Sequence, residues 1–249
     1  FNSPPKKKED QLKYPQTNNM GCFQSSTNED YVTVHGHTFR TVKLRKNKTH
    51  DPDAADKISR GKTLKNTKLF ELKEQFKAAG KFEDKDFPPV FQSLSGGLSE
   101  TDLLVAGCMV DFKKVKWQRP EDIYGKDQYE LFAGAIEPAD IKQGELGDCY
   151  FLSTLASIAE HPRRIKRLFA ESQVNPVGVY GIHICDTGEW TTVLVDDQLP
   201  CNLQGQPKFT RGNHGEIWVQ LLEKAWAKIY GGYARIEAGL TREALHDLT

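Results

Sequence analysis

No run of about 18 apolar residues occurs anywhere in the 249, so no membrane-spanning helix is expected. Neither charge dominates, with 34 Lys and Arg against 34 Asp and Glu, and nothing argues for a nucleic-acid partner. Cysteine is scarce and odd in number, five in all, which excludes the disulfide framework of a secreted domain. Cys22, Cys108, Cys149, Cys185 and Cys201 form no C-x-x-C pair, which argues against zinc. A reducing, cytoplasmic setting is expected, and there the acceptor-like Asn47-Lys48-Thr49 would carry no glycan. The first residues, Phe1 to Lys8, lack a secretory apolar core and an initiator Met, and read as the start of a fragment. Gly61-Lys62-Thr63 has the ending of a phosphate-binding loop, but Asp56 stands where that motif needs Gly.

What is present changes character along the chain. Residues 1–30 are rich in Lys, Pro, Asn, Gln and Ser and read as disordered. Residues 31–68 are strongly basic and promise at most a short strand, so residues 1–68 are expected as a flexible arm. A folded α+β core is expected over 69–249. Leu69, Phe70, Leu72, Phe76 and Ala79 have helical spacing, with Gly80 as a stop. Phe87-Pro88-Pro89 imposes an extended segment, Val105 to Phe112 is expected as a short strand, and residues 113–142 as packed but irregular.

A helix is expected to begin at Cys149, with Phe151, Leu152, Leu155, Ile158 and Ala159 buried and Pro162 opening a second helix. Val177 to Cys185 and Glu189 to Asp196 alternate like two strands about an Asp186-Thr187-Gly188 turn. A last helix is expected from about Gly215 to Tyr230, closed by Gly231-Gly232.

The chemistry concentrates in Gln143-Gly144-Glu145-Leu146-Gly147-Asp148-Cys149-Tyr150-Phe151-Leu152. A thiol attacks as the thiolate, and a helix N-terminus, with unpaired N–H groups and partial positive charge, favours that anion. Gly144 and Gly147 are expected to let a peptide substrate approach the backbone. Gln143 is placed to donate its amide, beside the Cys149 N–H, to a developing oxyanion. The bland alternative is that Cys149 is an inert core residue, the commoner fate of a cysteine on an apolar helix. Among the 100 residues after Cys149, no histidine is obviously its base: His161 follows the first helix, His183 lies on a strand, His214 precedes the last helix and His246 lies in the tail.

The cysteine segment resembles the nucleophile segment of the calpain family of cysteine proteases. So do Phe82 to Pro89, Trp117-Gln118-Arg119-Pro120, Gly188-Glu189-Trp190 with Val195 to Pro200, and Glu216-Ile217-Trp218 with Leu222 to Lys228, in the family's order. The resemblance implies the first lobe of a papain-like core, acting on protein substrates with Cys149 as nucleophile and Gln143 as oxyanion donor. It implies a catalytic His and Asn in a second lobe outside this chain. It also implies one Ca²⁺ in this lobe, held by Asp140, Glu216 and the carbonyls of Ala133 and Gly134. The chain is one residue longer than the family pattern between Gly134 and Asp140 and lacks an Arg usual there, and Tyr150 replaces the Trp of the best-known members. A catalytically inactive, membrane-tethered scaffold is the alternative from another class, and a free calcium-binding regulatory module a third.

Met20-Gly21-Cys22-Phe23-Gln24-Ser25 matches an acylation pattern, Gly21 for myristate and Cys22 for palmitate, if translation begins at Met20. One myristoyl chain holds a membrane only marginally, so Cys22 or the basic cluster Arg40, Lys43, Arg45, Lys46 and Lys48 would supply the second signal.

Overall fold

The computed structural model describes the backbone of residues 31–34 and 37–40, and residues 68–78, 80–108, 110–186 and 188–249 in full. Strand β1 (Tyr31–Val34) pairs antiparallel with β2 (His37–Arg40), Val34 opposite His37, so the basic stretch holds a two-stranded ribbon rather than one strand. The expected disordered segment 1–30 and the acylation motif lie outside the described residues.

Helix α1 covers residues 68–78 and turns Leu69 inward, where it meets Phe82, Val177 and Val179 in a small satellite of the core. Two short helices follow, α2 (Phe91–Ser95) and α3 (Glu100–Val105). The second corrects the strand expected over Val105 to Phe112. Ser99 accepts from the Asp102 N–H while Asp102 accepts from the Ser99 N–H, a reciprocal cap that starts a helix whatever β-branched residues follow. Phe112 then lies in a single 3₁₀ turn, Phe112–Lys114. The irregular stretch that follows holds β3 (Lys116–Gln118), α4 (Pro120–Tyr124) and a 3₁₀ turn at Pro138–Asp140.

Helix α5 (Cys149–Ala159) begins where the apolar period begins, and buries Phe151, Leu152, Leu155, Ile158 and Ala159 as expected, with Thr154. Pro162 opens α6 (Pro162–Arg167). The hairpin of β4 (Val179–Asp186) and β5 (Glu189–Asp196) keeps the register Val179 opposite Asp196 and Asp186 opposite Glu189. Strand β4 is buried at every position from Val179 to Cys185, so its expected alternation is absent: it is covered on both faces. Strand β6 (Leu199–Cys201) pairs with β3, Trp117 opposite Pro200.

Helix α7 (Trp218–Tyr230) runs through the middle of the core, buried on all sides from Trp218 to Ala227. Gly231, left-handed at φ 87°, ends it where a residue with a side chain would be strained. Phe151 of α5 stacks on Trp226 of α7, ring centres 5.0 Å apart. Burial of each such aromatic is worth roughly 1.5–3 kcal/mol and fixes the nucleophile helix on the central one. A further helix, α8 (Thr241–Leu248), packs on α5 through Ala244 and Leu248; the helix expected to be last is therefore followed by another. No helix among the described residues is long and apolar enough to cross a membrane.

Candidate active site

The loop ahead of α5 is pinned at several points before it reaches Cys149. Lys142 and Arg211 exchange backbone hydrogen bonds, both at 3.0 Å. The Glu145 N–H donates to the Lys208 carbonyl, while Lys208 Nζ returns to Glu145 Oε2 at 2.6 Å. Gly147 accepts from the Ala238 N–H at 3.0 Å. A Cβ on Gly144 would lie 1.8 Å from the Phe209 carbonyl oxygen, so no other residue fits there. The sequence reading gave this glycine to the substrate; its neighbour is instead the chain's own 208–209 backbone. Gly147 answers the original expectation better, because a Cβ there would meet only the Glu237 side chain at 3.8 Å.

Cys149 is the first residue of α5 and its side chain is exposed, unlike Cys108, Cys185 and Cys201, which are buried. Gln143, also exposed, donates Nε2 to the Leu146 carbonyl at 2.9 Å. That bond folds the amide back over its own loop and uses one of its two N–H donors. Tyr150, beside the nucleophile, accepts from Trp226 Nε1 at 3.0 Å, and Gly239 lies so close that a Cβ there would strike the Tyr150 ring.

No hydrogen bond joins Cys149 to a histidine among the described residues. His161 precedes α6 as its N-cap, His183 is buried on β4 against Thr192 Oγ1, His214 has φ 50° in the turn before α7, and His246 contacts Asp247 on α8.

The four residues implied as calcium ligands meet in one place, though not all in the role implied. Asp140 Oδ2 accepts from the Glu137 N–H and Oδ1 from Asn213 Nδ2. Glu216 accepts from the Asn213 N–H through Oε1 and from the Ala133 N–H through Oε2. The Glu130 strand segment docks on this turn, and Gly134, left-handed at φ 72°, stays exposed. Burial and then the charge of Asp140 raise the Glu216 carboxyl above its ordinary pKa. Neither acid forms a salt bridge among the described residues, so two hard oxygen donors face one another without a cation, which suits Ca²⁺. Ala133 contributes its N–H, not its carbonyl, and no cluster of three His, Cys, Asp or Glu exists among the described residues. Any further ligands would have to be carbonyls or water.

A second acid pair went unnoticed in the sequence. Asp148, the N-cap of α5, makes no side-chain cap to the helix; its carboxyl is fully buried and meets that of Glu223 on α7. Burial pushes Asp148 up to about 7 and holds Glu223 well above the ordinary carboxylate range. One signal could have revealed it: Glu223 is an acid set among Leu221, Leu222, Ala225 and Trp226, on the face expected to be buried.

A family model described as calpain family cysteine protease matches residues 82–249. The chain is 40% identical over 174 residues to the calpain-type cysteine protease DEK1 of Zea mays, covering 68% of this chain and 8% of that protein. It is 31% identical over 220 residues to calpain clp-4 of Caenorhabditis elegans, covering 84% of this chain and 27% of the relative. To the calpain-1 catalytic subunit of Sus scrofa it is 35% identical over 173 residues, covering 68% and 23%. The chain thus spans well under a third of each of these relatives. It belongs to the calpain family of cysteine proteases.

Proposed function

We propose that this chain is the nucleophile-bearing lobe of a calcium-dependent cysteine endopeptidase that cuts protein substrates in limited fashion. The observation that carries the reading is the exposed thiol of Cys149 at the first position of α5, behind a loop whose Gln143 amide is held on the Leu146 carbonyl. The Cys149 sulfur attacks the scissile carbonyl and the peptide nitrogen leaves with a proton, giving a thioester on Cys149. Water then cleaves that ester and restores the thiol. The carbonyl oxygen, negative in the tetrahedral states, is met by the Cys149 N–H and the second N–H of Gln143; each such donor is worth roughly 3 kcal/mol in the transition state. The base is a histidine, oriented by an asparagine, in a second lobe outside this chain. In support, none of the described histidine side chains bonds to Cys149.

Calcium, when bound, would supply positive charge between Asp140 and Glu216 and so tie the Gln143 loop to the turn before α7. Asp140 and Glu216 would hold it, with carbonyl oxygens near Ala133 and Gly134 completing the set. Gly21 and Cys22 would carry acyl chains that hold the protein at the inner face of a membrane; labelled myristate added to a chain started at Met20 tests that.

The decisive experiment joins this chain to its natural second lobe and measures casein hydrolysis with and without Ca²⁺. Calcium-dependent cleavage, abolished by Cys149→Ala and absent from the 249-residue chain alone, is expected. Cleavage by the chain alone would place the base within it and overturn the reading.

A further inference from the structure

Asp148 is an N-cap residue whose carboxyl ignores the helix it caps. Asp at that position ordinarily accepts from the N–H groups of the first turn; here no such bond forms, and no other described residue donates a hydrogen bond of good geometry to either Asp148 oxygen. The carboxyl instead turns into the core and meets Glu223. Glu223 is itself buried: its Oε2 accepts from the Thr210 N–H at 3.3 Å and from Thr210 Oγ1 at 2.9 Å, and its Oε1 has no partner. Three of the four oxygens in the pair therefore lack a donor among the described residues.

The neighbours that act on the pair are acids and phenols. Glu237, in the segment after the 3₁₀ turn Tyr233–Arg235, adds negative charge to Asp148 and hydrogen bonds the buried Cys108 thiol. Tyr233 places a buried hydroxyl with no partner nearby, and Glu223 is the strongest charge acting on it. The Tyr150 hydroxyl, on α5, feels the charge of Asp148. Neither carboxyl forms a salt bridge among the described residues. Two ionised carboxylates are acceptors only, so in contact and out of water they would repel with nothing to join them. A single proton between them converts the contact into a charge-assisted hydrogen bond, the short and strong kind.

We propose that Asp148 and Glu223 share one proton, and that this bridged pair is a positioning device that fastens the Cys149 end of α5 to α7. Phe151 on Trp226 anchors the same two helices one turn further along. The acid pair fixes the residue adjacent to the thiol and to the N–H proposed for the oxyanion. When the proton leaves to solvent, the pair carries two negative charges in a dry site and its hold on Asp148 is lost. The sign follows from linkage: both carboxyls are raised, so the stabilisation is complete below the ordinary carboxylate range and lost as pH rises through about 7 and beyond. The pair titrates as a unit, so the apparent values belong to both acids. The pairing stands without the proposed chemistry; only its consequence for the thiol rests on that reading.

The test needs no protease activity. In a Cys22→Ser background, thermal unfolding of wild type, Glu223→Gln and Asp148→Asn is followed from about pH 5 to about pH 9. An amide donates permanently where the shared proton sat, so each variant should match wild type at the acid end and exceed it increasingly toward the alkaline end. Difference infrared spectra of wild type should show a protonated carboxylic acid near neutrality that Glu223→Gln lacks. Iodoacetamide labelling of Cys149 should show its wild-type and variant pH profiles diverging over the same window. Parallel stability curves, or wild-type spectra without a neutral-pH carboxylic acid, would overturn the proposal. Should both variants fail to fold, the wild-type infrared titration decides alone. A bridged pair in a protein whose two-lobed form cuts nothing would refute the protease reading and leave this one standing.

Discussion

Asp140 with Glu216, and Asp148 with Glu223, are both pairs of acids in which one member comes from the segment leading to Cys149 and the other from α7 or the turn before it. The first pair lies among loops, and each of its four oxygens has a donor: the N–H groups of Glu137, Ala133 and Asn213, and the Asn213 amide. The second lies between packed helices, where the carboxyl of Asp148 turns away from the N–H groups of its own helix, and among the described residues only one oxygen of the pair is served. Loops have backbone donors to spare for anions; helix interiors do not. The same chemical pair is therefore served by N–H donors at one end of the segment and, in our proposal, by a shared proton at the other. Lys224, the next residue after Glu223, shows a third solution on the same helix. Its Nζ is fully buried and donates to Asp196 Oδ1 at 2.5 Å and to the Gln198 carbonyl at 2.6 Å.

The largest effect is expected where charge is balanced by charge. Lys224→Met would leave Asp196 buried without its cation, although Asp196 would keep the N–H groups of Asp84 and Gln198. Breaking one side of a buried pair costs about 3–5 kcal/mol. Denaturant unfolding should show a loss of that size with little change in slope. A loss under about 1 kcal/mol would mean that the two N–H groups suffice, and that cation and amide are equivalent partners in this core.

An intermediate effect is expected at Thr210, the one residue among those described that donates to the second acid pair. Thr210→Val removes the hydroxyl and keeps the shape. The lost bond supported the charged form of Glu223, so the cost should be small where the acid is protonated and grow as pH rises, reaching about 1–3 kcal/mol in the alkaline range. Urea titrations at about pH 5 and about pH 8 separate the two cases. A cost independent of pH would assign Thr210 to packing and remove it from the proton balance.

These distinctions were only partly legible in the sequence. The start of α5 at Cys149, its buried stripe and the β4–β5 hairpin followed from apolar period and turn residues, because local pattern decides them. The Ser99–Asp102 cap was legible in principle, but the strand expected over Val105 to Phe112 outweighed it. Helix α8 was missed because its apolar residues, Ala244 and Leu248, are few and the contact that holds them, α5, is distant in sequence. The role of Gly144 and the meeting of Asp148 with Glu223 are tertiary facts. Each joins positions tens of residues apart, 144 to 209 and 148 to 223, and no local period carries that information.

The smallest effect is expected at Asn213, whose side chain spans the Ala139 carbonyl and Asp140 Oδ1. Asn213→Ala keeps the backbone N–H that serves Glu216, and Asp140 retains the Glu137 N–H and some contact with water. The loss in calcium-free buffer should be about 1 kcal/mol, which is roughly 2–4 °C in melting temperature for a protein of this size. Added Ca²⁺ should narrow the deficit if it binds between the two carboxylates, because a cation then does the amide's work; Asp140→Asn should remove that rescue. A deficit that calcium leaves unchanged would mean the amide pins the Gln143 loop by itself. A deficit as large as that of Lys224→Met would show that loop acids depend on their partners as heavily as core acids do, and the contrast between the two ends of the segment would disappear.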